Sequence, residues 1–251
     1  MNSAPRLSIL VATWNCASQL EQFLESLSIQ SWADWELLLL DNASSDGTAE
    51  LVRVFQQRCL DRRVCWSSQP DLGIYDAWNR GLELARGDYL CFIGADDKFL
   101  ESASLGKLAG LTATEAHLIT ARNAYCDRQG RFLRHWGSGW QWKRMRQSMN
   151  IAHPGMLVRR DLFTQIGIFD PAFRICGDYE WFLRLPENLR TVHASDSVLR
   201  IVQGGVSHTR IVDVYAETFK AQKRHIGVLL AFVFWVLNWA KYGRRRLIGL
   251  A

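Results

Sequence analysis

In RGDYLCFIGADDKF (residues 86–99), a short apolar run ends at two adjacent carboxylates. The run YLCFIG (89–94) is typical of a strand buried on both faces, as found in parallel sheets. Ligands of such sheets bind beyond the carboxyl ends of the strands. Asp96 and Asp97 therefore either hold a ligand or cap the helix predicted after them, and both interpretations are open at this point.

Three further apolar runs precede this strand: LSILVATWN (7–15), WELLLLD (35–41) and RVCW (63–66). Each is followed by apolar residues at helical spacing. A capping box at Ser18 and Glu21 predicts the start of the first helix, and Gly87 predicts the end of a helix over 74–86. Strands that alternate with helices predict the α/β class, with a mostly parallel central sheet and helices on both faces.

Polar residues follow the predicted strand ends: Thr13, Asn15, Asp41, Asp46, Asp96 and Asp97. We expect them to converge, because the carboxyl ends of parallel strands lie at one edge of a sheet. A Mg²⁺ or Mn²⁺ ion on a nucleotide diphosphate takes only one or two protein carboxylates. This edge is therefore a plausible nucleotide-sugar site, although Asp41 could also cap its own turn.

The second half of the chain has a looser pattern. Residues 118–136 predict a strand and a hairpin that turns at 127–130. Residues 153–173 predict a strand, a short helix and a turn with glycine, and GDYEWFLRL (177–185) predicts the start of a helix. SVLRIVQGG (197–205) predicts a last strand followed by a glycine loop.

The C-terminal segment IGVLLAFVFWVLNWA (226–240) is almost uninterrupted apolar sequence and precedes KYGRRR. It is short for a bilayer crossing, which needs about 20 residues. With Trp235, Trp239 and the arginines, it predicts a helix that lies on the cytoplasmic face of a membrane. The alternative is a helix docked on the core or on a second subunit, as in a homodimer.

The composition argues against several classes of protein. Hydrophobic residues make up 48% of the 251 residues and charged residues 22%, as in soluble globular proteins. The net charge of +5 lies largely in the C-terminal segment, and no nucleic-acid-binding motif is present. The residues after the first strand lack the G-x-G-x-x-G motif of a nicotinamide-dependent oxidoreductase. Six cysteines without C-x-x-C spacing, and an N-terminus unlike a signal peptide, favour the cytoplasm.

Five blocks stand in order along the chain: LSILVATWN, LLLLDNASSDGT, PDLGIYDAWNRGLELARGDYLCFIGADD, HPGMLVRRDLF and GDYEWFLRL. Together they resemble the GT-A-fold glycosyltransferases of family 2, especially bacterial members that build exopolysaccharide and O-antigen repeats, over roughly residues 7–210. The resemblance implies a Rossmann-like GT-A domain over 1–210. Residues 1–115 would bind the nucleotide sugar, residues 116–210 would form the acceptor and catalytic half, and 211–251 would be a helical, membrane-associating tail.

The resemblance also implies roles for single residues. Asp96 would bind Mn²⁺ or Mg²⁺. His153 and His208 are candidates for additional ligands on other grounds, because neutral imidazole suits Mn²⁺. Asp178 would be the catalytic base, with Glu180 as its substitute. The donor site would comprise Thr13, Asn15, Asp41, Asp46, Asp71, Gly73, Tyr75, Asp76, Asn79 and Asp97.

Two glycines depart from the family pattern. Gly94 replaces the first carboxylate of the D-x-D motif, which puts metal dependence in question, and Gly177 replaces the glutamate of a Glu-Asp pair. The predicted activity is inverting transfer of a sugar from a UDP- or GDP-sugar to a hydroxyl of a lipid-linked saccharide at the inner membrane face. Transfer to polyprenyl phosphate, and a catalytically impaired scaffold that binds nucleotide sugars, are the alternatives.

Overall fold

A computed structural model describes residues 4–127 and 129–247. The strands are β1 (Leu7–Thr13), β2 (Trp35–Asp41), β3 (Val64–Ser68), β4 (Tyr89–Gly94), β5 (Lys98–Phe99), β6 (Leu118–Cys126), β7 (Phe132–Trp136), β8 (Leu157–Arg159) and β9 (Thr191–Val202). The helices are α1 (Ala17–Ser28), α2 (Thr48–Arg58), α3 (Ile74–Leu84), α4 (Ser104–Gly110), a 3₁₀ helix (Leu111–Thr114), α5 (Trp142–Met145), α6 (Asp161–Ile166), α7 (Gly177–Leu183), α8 (Val206–Thr209), α9 (Ile211–Ile226) and α10 (Val228–Leu247).

The described strands form one mixed sheet in the order β3-β2-β1-β4-β8-β6-β9-β5, and β7 pairs with β6. Strands β1 to β4 are parallel to their neighbours within this group. Strand β8 is antiparallel to β4 and to β6, and β6 and β9 are again parallel. The predicted α/β class with a mostly parallel central sheet is therefore confirmed.

Alternate residues of the central strands point to two separate cores. Ile9 and Val11 of β1 pack into the core that also contains apolar residues of α1, α2 and α4. Leu10 of the same strand packs into the opposite core, with apolar residues of α3, α6, α7 and α9. Helices thus cover both faces of the sheet. The carboxyl ends of β1 to β4 form one edge of the sheet, between the two cores.

The predicted capping box at Ser18 and Glu21 is wrong. Helix α1 begins at Ala17, whose backbone N–H donates to the carboxylate of Asp46 at 3.0 Å. The Ser18 hydroxyl donates to its neighbour Gln19 instead. The helix is thus capped from a distant loop rather than by its own side chains.

The predicted end of α3 is also displaced. The helix ends at Leu84, and Ala85 is already extended. Gly87 has another function, since a Cβ atom there would lie 2.5 Å from the backbone nitrogen of Ser8. A side chain at position 87 would therefore separate the start of β4 from β1.

The two C-terminal helices form an antiparallel hairpin around Gly227, which has a φ of +86°. Ala221 and Gln222 of α9 are fully buried. Helix α10 packs on α9 through the rings of Trp239 and Tyr215, whose centroids are 4.6 Å apart. None of the described helices has the length and apolarity needed to span a bilayer. The division of the chain at residue 210 stays a prediction.

Candidate functional site

The Asp41 carboxylate is the centre of a hydrogen-bond cluster where β1, β2 and β3 end. It accepts hydrogen bonds from the Thr13 hydroxyl (2.9 Å), the Ser68 hydroxyl (2.6 Å), and the backbone and hydroxyl of Ser44 (2.9 and 2.6 Å). Burial alone would raise its pKa, but these donors outweigh burial and lower it. Asp41 is therefore a charged group that holds the ends of β1, β2 and β3 together.

Asn15 and Asp46 tie the loop after β1 to the loop after β2. Asn15 has a φ of +46°, and its side-chain oxygen accepts a hydrogen bond from the Ser45 backbone at 2.9 Å. Asp46 accepts backbone hydrogen bonds from Ala17 and Thr48. Hydrogen bonds from Thr48 and Ala17 also lower the pKa of Asp46. The two loops thus form one rigid wall beside the sheet edge.

The turn before α3 contributes Asp71 and Gly73, and the first turn of the helix contributes Asp76. Asp71 accepts a hydrogen bond from the Gly73 backbone at 2.9 Å, and Asp76 accepts one from the Leu72 backbone at 3.0 Å. Burial raises the pKa of Asp71. Gly73 has a φ of +122°, and a Cβ atom there would lie 3.2 Å from the guanidinium of Arg174. This turn therefore needs glycine for its conformation.

The two carboxylates at the end of β4 differ in their surroundings. Asp97 is only 4% exposed, and its carboxylate accepts a hydrogen bond from the Gly94 backbone at 2.9 Å. Burial, and secondly the charge of Asp96, raise the pKa of Asp97 well above its usual value. Asp96 is exposed. The pair therefore divides into a buried supporting residue and a residue available to a ligand.

Asp96 faces a cleft of about 480 Å³, which we call the Asp96 cleft. The other residues that line it come from α1, from β5, from the β6–β7 turn, and from the end of β9 with its glycine loop: Gln19, Gln22, Lys98, Asp127, Gln129, Gly130, Arg200, Val202, Gln203, Gly204 and Gly205. Most of the side chains that line the cleft are polar or charged. It lies on the α1 side of the sheet edge and has room for a ligand.

Asp178 lies on the opposite side of this edge, at the start of α7. Its Oδ1 atom accepts hydrogen bonds from the Tyr179 backbone (2.8 Å) and from the Tyr75 hydroxyl (3.1 Å). Its Oδ2 atom is 3.9 Å from Nδ1 of His153 and accepts no hydrogen bond from the described residues. The Asp178 side chain is 17% exposed, so solvent reaches part of this carboxylate.

His153 is packed among aromatic rings. The ring centroids of Trp78, Phe92 and Phe182 lie 5.0, 5.3 and 5.7 Å from its own. Burial lowers the pKa of His153, although the charge of Asp178 opposes this effect. The imidazole is therefore neutral and buried, in surroundings that suit a packing role better than metal binding.

The metal prediction rests on Asp96 and stays a prediction. Among the described residues, no three His, Cys, Asp or Glu side chains lie close enough together to form a metal site of their own. His208 is exposed on the short helix α8. An ion at this edge would therefore be held by Asp96 together with the oxygens of a diphosphate, as Mg²⁺ usually is.

Glu180 is wrong as a substitute for the catalytic base. It is fully buried and pairs with Arg184, with Arg224 at 3.3 Å and with His225 at 2.7 Å. Burial alone would raise its pKa, but hydrogen bonds with His225 and Arg184 outweigh burial and bring it to about 2. A carboxylate with so low a pKa, and without access to solvent, is a poor general base.

Asn79 was predicted to contact the donor, but its side chain bonds to the protein backbone. Its amide donates to the Phe169 carbonyl at 2.9 Å and accepts from the Phe169 backbone N–H at 3.0 Å. Both ends of the amide therefore hold the loop before α7.

Sequence reasoning missed Glu217 of α9. Its carboxylate accepts backbone hydrogen bonds from Arg174 (2.8 Å), Ile175 (2.9 Å) and Cys176 (2.8 Å), directly before Asp178. It also missed Asn42, Ser44 and Ser68, although the first two lie in the turn that the sequence had marked. Glu217 carried no local signal, because its partners lie about 40 residues away in the chain.

The architecture of the described chain is that of the GT-A fold, as two solved glycosyltransferase structures show. Residues 1–349 of TarS from S. aureus, in complex with UDP-GlcNAc, superpose with a TM-score of 0.70 at 17% identity, covering 86% of this chain and 65% of that one. The mannosyltransferase PcManGT from Pyrobaculum calidifontis, in complex with GDP-Man and Mn²⁺, gives a TM-score of 0.65 at 15% identity, covering 96% of this chain and 76% of that one.

The sequence profile of Glycosyl transferase family 2 matches residues 8–174. The chain is 30% identical over 253 residues to the PGL/p-HBAD biosynthesis glycosyltransferases of Mycobacterium bovis and Mycobacterium tuberculosis, covering 98% of this chain and 95% of each relative. The chain belongs to glycosyltransferase family 2. The resemblance seen in the sequence is thereby confirmed.

Proposed function

We propose that this protein is an inverting glycosyltransferase that moves a sugar from a UDP- or GDP-sugar to a hydroxyl group of a saccharide acceptor. One observation carries the proposal: the acidic side chains at the sheet edge have separate environments. Asp41 is saturated with hydrogen bonds and Asp97 is buried. Asp96 faces an open cleft, and Asp178 keeps one carboxylate oxygen free. A diphosphate site and a base are thus both available.

The nucleoside would lie against Thr13, Asn15 and Asp41, and the diphosphate would reach the Asp96 cleft. A divalent ion bound there supplies positive charge that stabilises the departing diphosphate. Asp178 Oδ2 would accept the proton of the acceptor hydroxyl, which makes this weak nucleophile reactive. A single displacement of this kind inverts the anomeric centre and needs no nucleophile from the protein.

The proposed acceptor is a lipid-linked saccharide at the inner face of the plasma membrane. Helix α10 supports this proposal with an exposed apolar surface, formed by Leu229, Phe232, Val233, Val236 and Leu237, which we call the α10 face. Lys241 and Arg244 are exposed near its end. Apolar side chains beside basic ones are typical of helices that lie on anionic membranes.

The proposed donor site is tested by calorimetric binding of UDP and GDP, with Mn²⁺ and with a chelator. We expect micromolar, Mn²⁺-dependent binding of one nucleotide that Asp96→Ala abolishes, since Asp96 is the exposed carboxylate of the cleft. The matched control is Glu83→Ala, which removes an exposed acid of α3 outside the cleft and should leave binding unchanged. Equally weak binding of both nucleotides in every condition would contradict the proposed function.

The chemical step is tested by release of nucleoside diphosphate from UDP-GlcNAc and GDP-Man, the donors bound by the two structural relatives. Asp178→Asn should keep nucleotide binding and lose release, because the amide cannot accept the acceptor proton. A wild-type protein that binds a donor but never releases the diphosphate, with or without saccharide acceptors, would instead be a scaffold.

A further inference from the structure

Tyr75 joins the start of α3 to the start of α7. Its hydroxyl oxygen lies 2.6 Å from the carbonyl oxygen of Ile175 and 3.1 Å from Oδ1 of Asp178. The side chain is only 3% exposed, so water does not compete for these contacts. The single hydroxyl proton is therefore shared between a backbone carbonyl and the carboxylate of the proposed base.

Gly177 provides the space that this tyrosine ring needs. A Cβ atom at position 177 would lie 2.8 Å from two carbons of the Tyr75 ring and 2.9 Å from a third. Such distances are shorter than van der Waals contact, and the buried ring cannot move away. The glycine that departs from the family's Glu-Asp pair is thus matched by a tyrosine lying on its backbone.

The two oxygens of Asp178 are consequently unequal. Oδ1 is fixed by the Tyr75 hydroxyl and by the Tyr179 backbone, whereas Oδ2 receives no hydrogen bond from the described residues. A carboxylate held through one oxygen has a defined orientation, so its other oxygen points in one direction. Orientation of this kind contributes to catalysis because it removes unproductive arrangements before the reaction.

We propose that Tyr75 is the positioning residue of the catalytic base, holding Oδ1 of Asp178 so that Oδ2 takes the proton of the acceptor hydroxyl. This inference rests on the proposed function. As the acceptor oxygen forms its bond to the anomeric carbon, the bond from that carbon to the diphosphate oxygen breaks, and its electron pair leaves with the diphosphate. The acceptor proton moves to Oδ2, and Tyr75 keeps its own proton throughout.

Burial supports this assignment, because it raises the pKa of the Tyr75 hydroxyl well above its usual value, and the charge of Asp178 adds to the effect. The hydroxyl therefore remains a hydrogen-bond donor at neutral pH. With only 3% of the residue exposed, Tyr75 acts through Asp178 and not as the donor contact that the resemblance implied.

The test compares Tyr75→Phe with Tyr89→Phe. Both substitutions keep the ring and remove a buried hydroxyl that donates to a backbone carbonyl. The Tyr89 hydroxyl donates to the Ala116 carbonyl and to no carboxylate of the described residues. The measurement is release of diphosphate from UDP-GlcNAc and GDP-Man with water as the acceptor. Nucleotide binding by calorimetry and the unfolding midpoint are recorded for every variant.

We expect Tyr75→Phe to lower kcat about tenfold to a hundredfold, the range for losing a hydrogen bond to a charged group. Nucleotide affinity should stay within about twofold, and Tyr89→Phe should retain wild-type kcat. A Tyr75→Phe protein with wild-type kcat would overturn the inference. So would an equal loss in both variants, because that loss would come from destabilisation.

The proposed function fails separately from this inference. If the wild type releases diphosphate and Asp178→Asn does not, the base is established, and Tyr75→Phe alone decides the role of Tyr75. If Asp178→Asn releases diphosphate as fast as the wild type, Asp178 is not the base, and both proposals are overturned. If the wild type binds a donor but releases no diphosphate from it, with water or with saccharide acceptors, the proposed function fails first and the role of Tyr75 fails with it.

Discussion

Replacement of glycine by alanine should change the stability of the protein in different ways at Gly177 and at Gly110. Alanine in place of a helical glycine usually stabilises a protein by about 0.5–1 kcal/mol. A Cβ atom at Gly110 meets no atom within 4 Å, whereas one at Gly177 meets the Tyr75 ring at 2.8 Å. We expect Gly177→Ala to lower the free energy of unfolding by about 1–3 kcal/mol, as overpacking does, and Gly110→Ala to leave it equal or higher. Urea unfolding of both variants measures the difference, and a stabilised Gly177→Ala would contradict the packing described here.

Gly94 is the second departure from the family pattern, and the structure gives a physical reason for it. A Cβ atom at this position would lie 2.8 Å from the carboxylate of Asp96 and 3.0 Å from that of Asp97. We expect Gly94→Asp, which restores the family's D-x-D motif, to weaken Mn²⁺-dependent binding of UDP or GDP, because a third carboxylate would crowd and repel the other two. Calorimetry on the variant checks this, and tighter binding would show that Gly94 limits metal affinity.

The sequence located the acidic residues of the site but not their partners. Apolar runs that end in polar residues predicted where β1, β2 and β4 stop, and hence that Thr13, Asp41 and Asp96 would meet. The contact between Tyr75 and Asp178 joins residues 103 positions apart. No periodicity reports a contact of that kind, because it depends on how α3 and α7 pack against the sheet.

Glu180 of α7 forms ion pairs with Arg224 and His225 of α9, and its ionisation makes the stability of the protein depend on pH. The folded-state pKa of this carboxyl is about 2, below its usual 4.5. The charged form therefore stabilises the fold above pH 4.5, and this contribution is lost as the pH falls toward 2. We expect Glu180→Gln to lower the free energy of unfolding at pH 7 by about 3 kcal/mol, from the size of that shift.

The difference between the wild type and Glu180→Gln should shrink as the pH falls from about 4.5 toward 2. Urea unfolding at a series of pH values measures it. The control is Glu187→Gln, an exposed acid just beyond the same helix, which should change stability by less than about 0.5 kcal/mol. A Glu180→Gln effect that is constant with pH would show that packing, and not charge, holds α7 to α9.

The ends of helices were the weakest part of the sequence prediction. Ser18 and Glu21 match a local capping pattern, yet Asp46 caps α1 from another loop. Gly87 matches a helix stop, yet it serves the close approach of Ser8. Local patterns compete with partners that only the folded chain brings near, and here the distant partner is the stronger one.

In the molecule as a whole, α9 is packed against the segment that carries the proposed base. Glu217 accepts three backbone hydrogen bonds ahead of α7, and Gln222 donates to Tyr179 and to the backbone of Arg146. Arg224 pairs with Glu180 and Asp170. Because these contacts support the segment that carries Asp178, we infer that residues 211–226 are part of the domain that the sequence had ended at 210.

Helix α10 has a different relation to the rest of the protein. It buries Ala231 but leaves the α10 face exposed. If that face lies on a membrane, a chain ending at Gly227 should stay folded and lose its affinity for vesicles, because α9 keeps its contacts with α7. Circular dichroism and vesicle sedimentation measure the two properties. A shortened chain that unfolds or aggregates would instead show that α10 is a docked part of the core.

Substitutions in the full chain also distinguish a membrane-bound α10 from an α10 docked on the core. Replacing Leu229, Phe232 and Val236 by serine should reduce sedimentation with vesicles of phosphatidylglycerol and phosphatidylcholine, because each exposed apolar side chain contributes to insertion. Replacing Lys241 and Arg244 by glutamine should weaken binding to these anionic vesicles more than to phosphatidylcholine alone, and added salt should remove that difference. The matched control is Leu60→Ser, an exposed apolar residue outside the α10 face, which should leave sedimentation unchanged. Wild-type protein that remains in solution with both kinds of vesicle would exclude the membrane as the partner of this face.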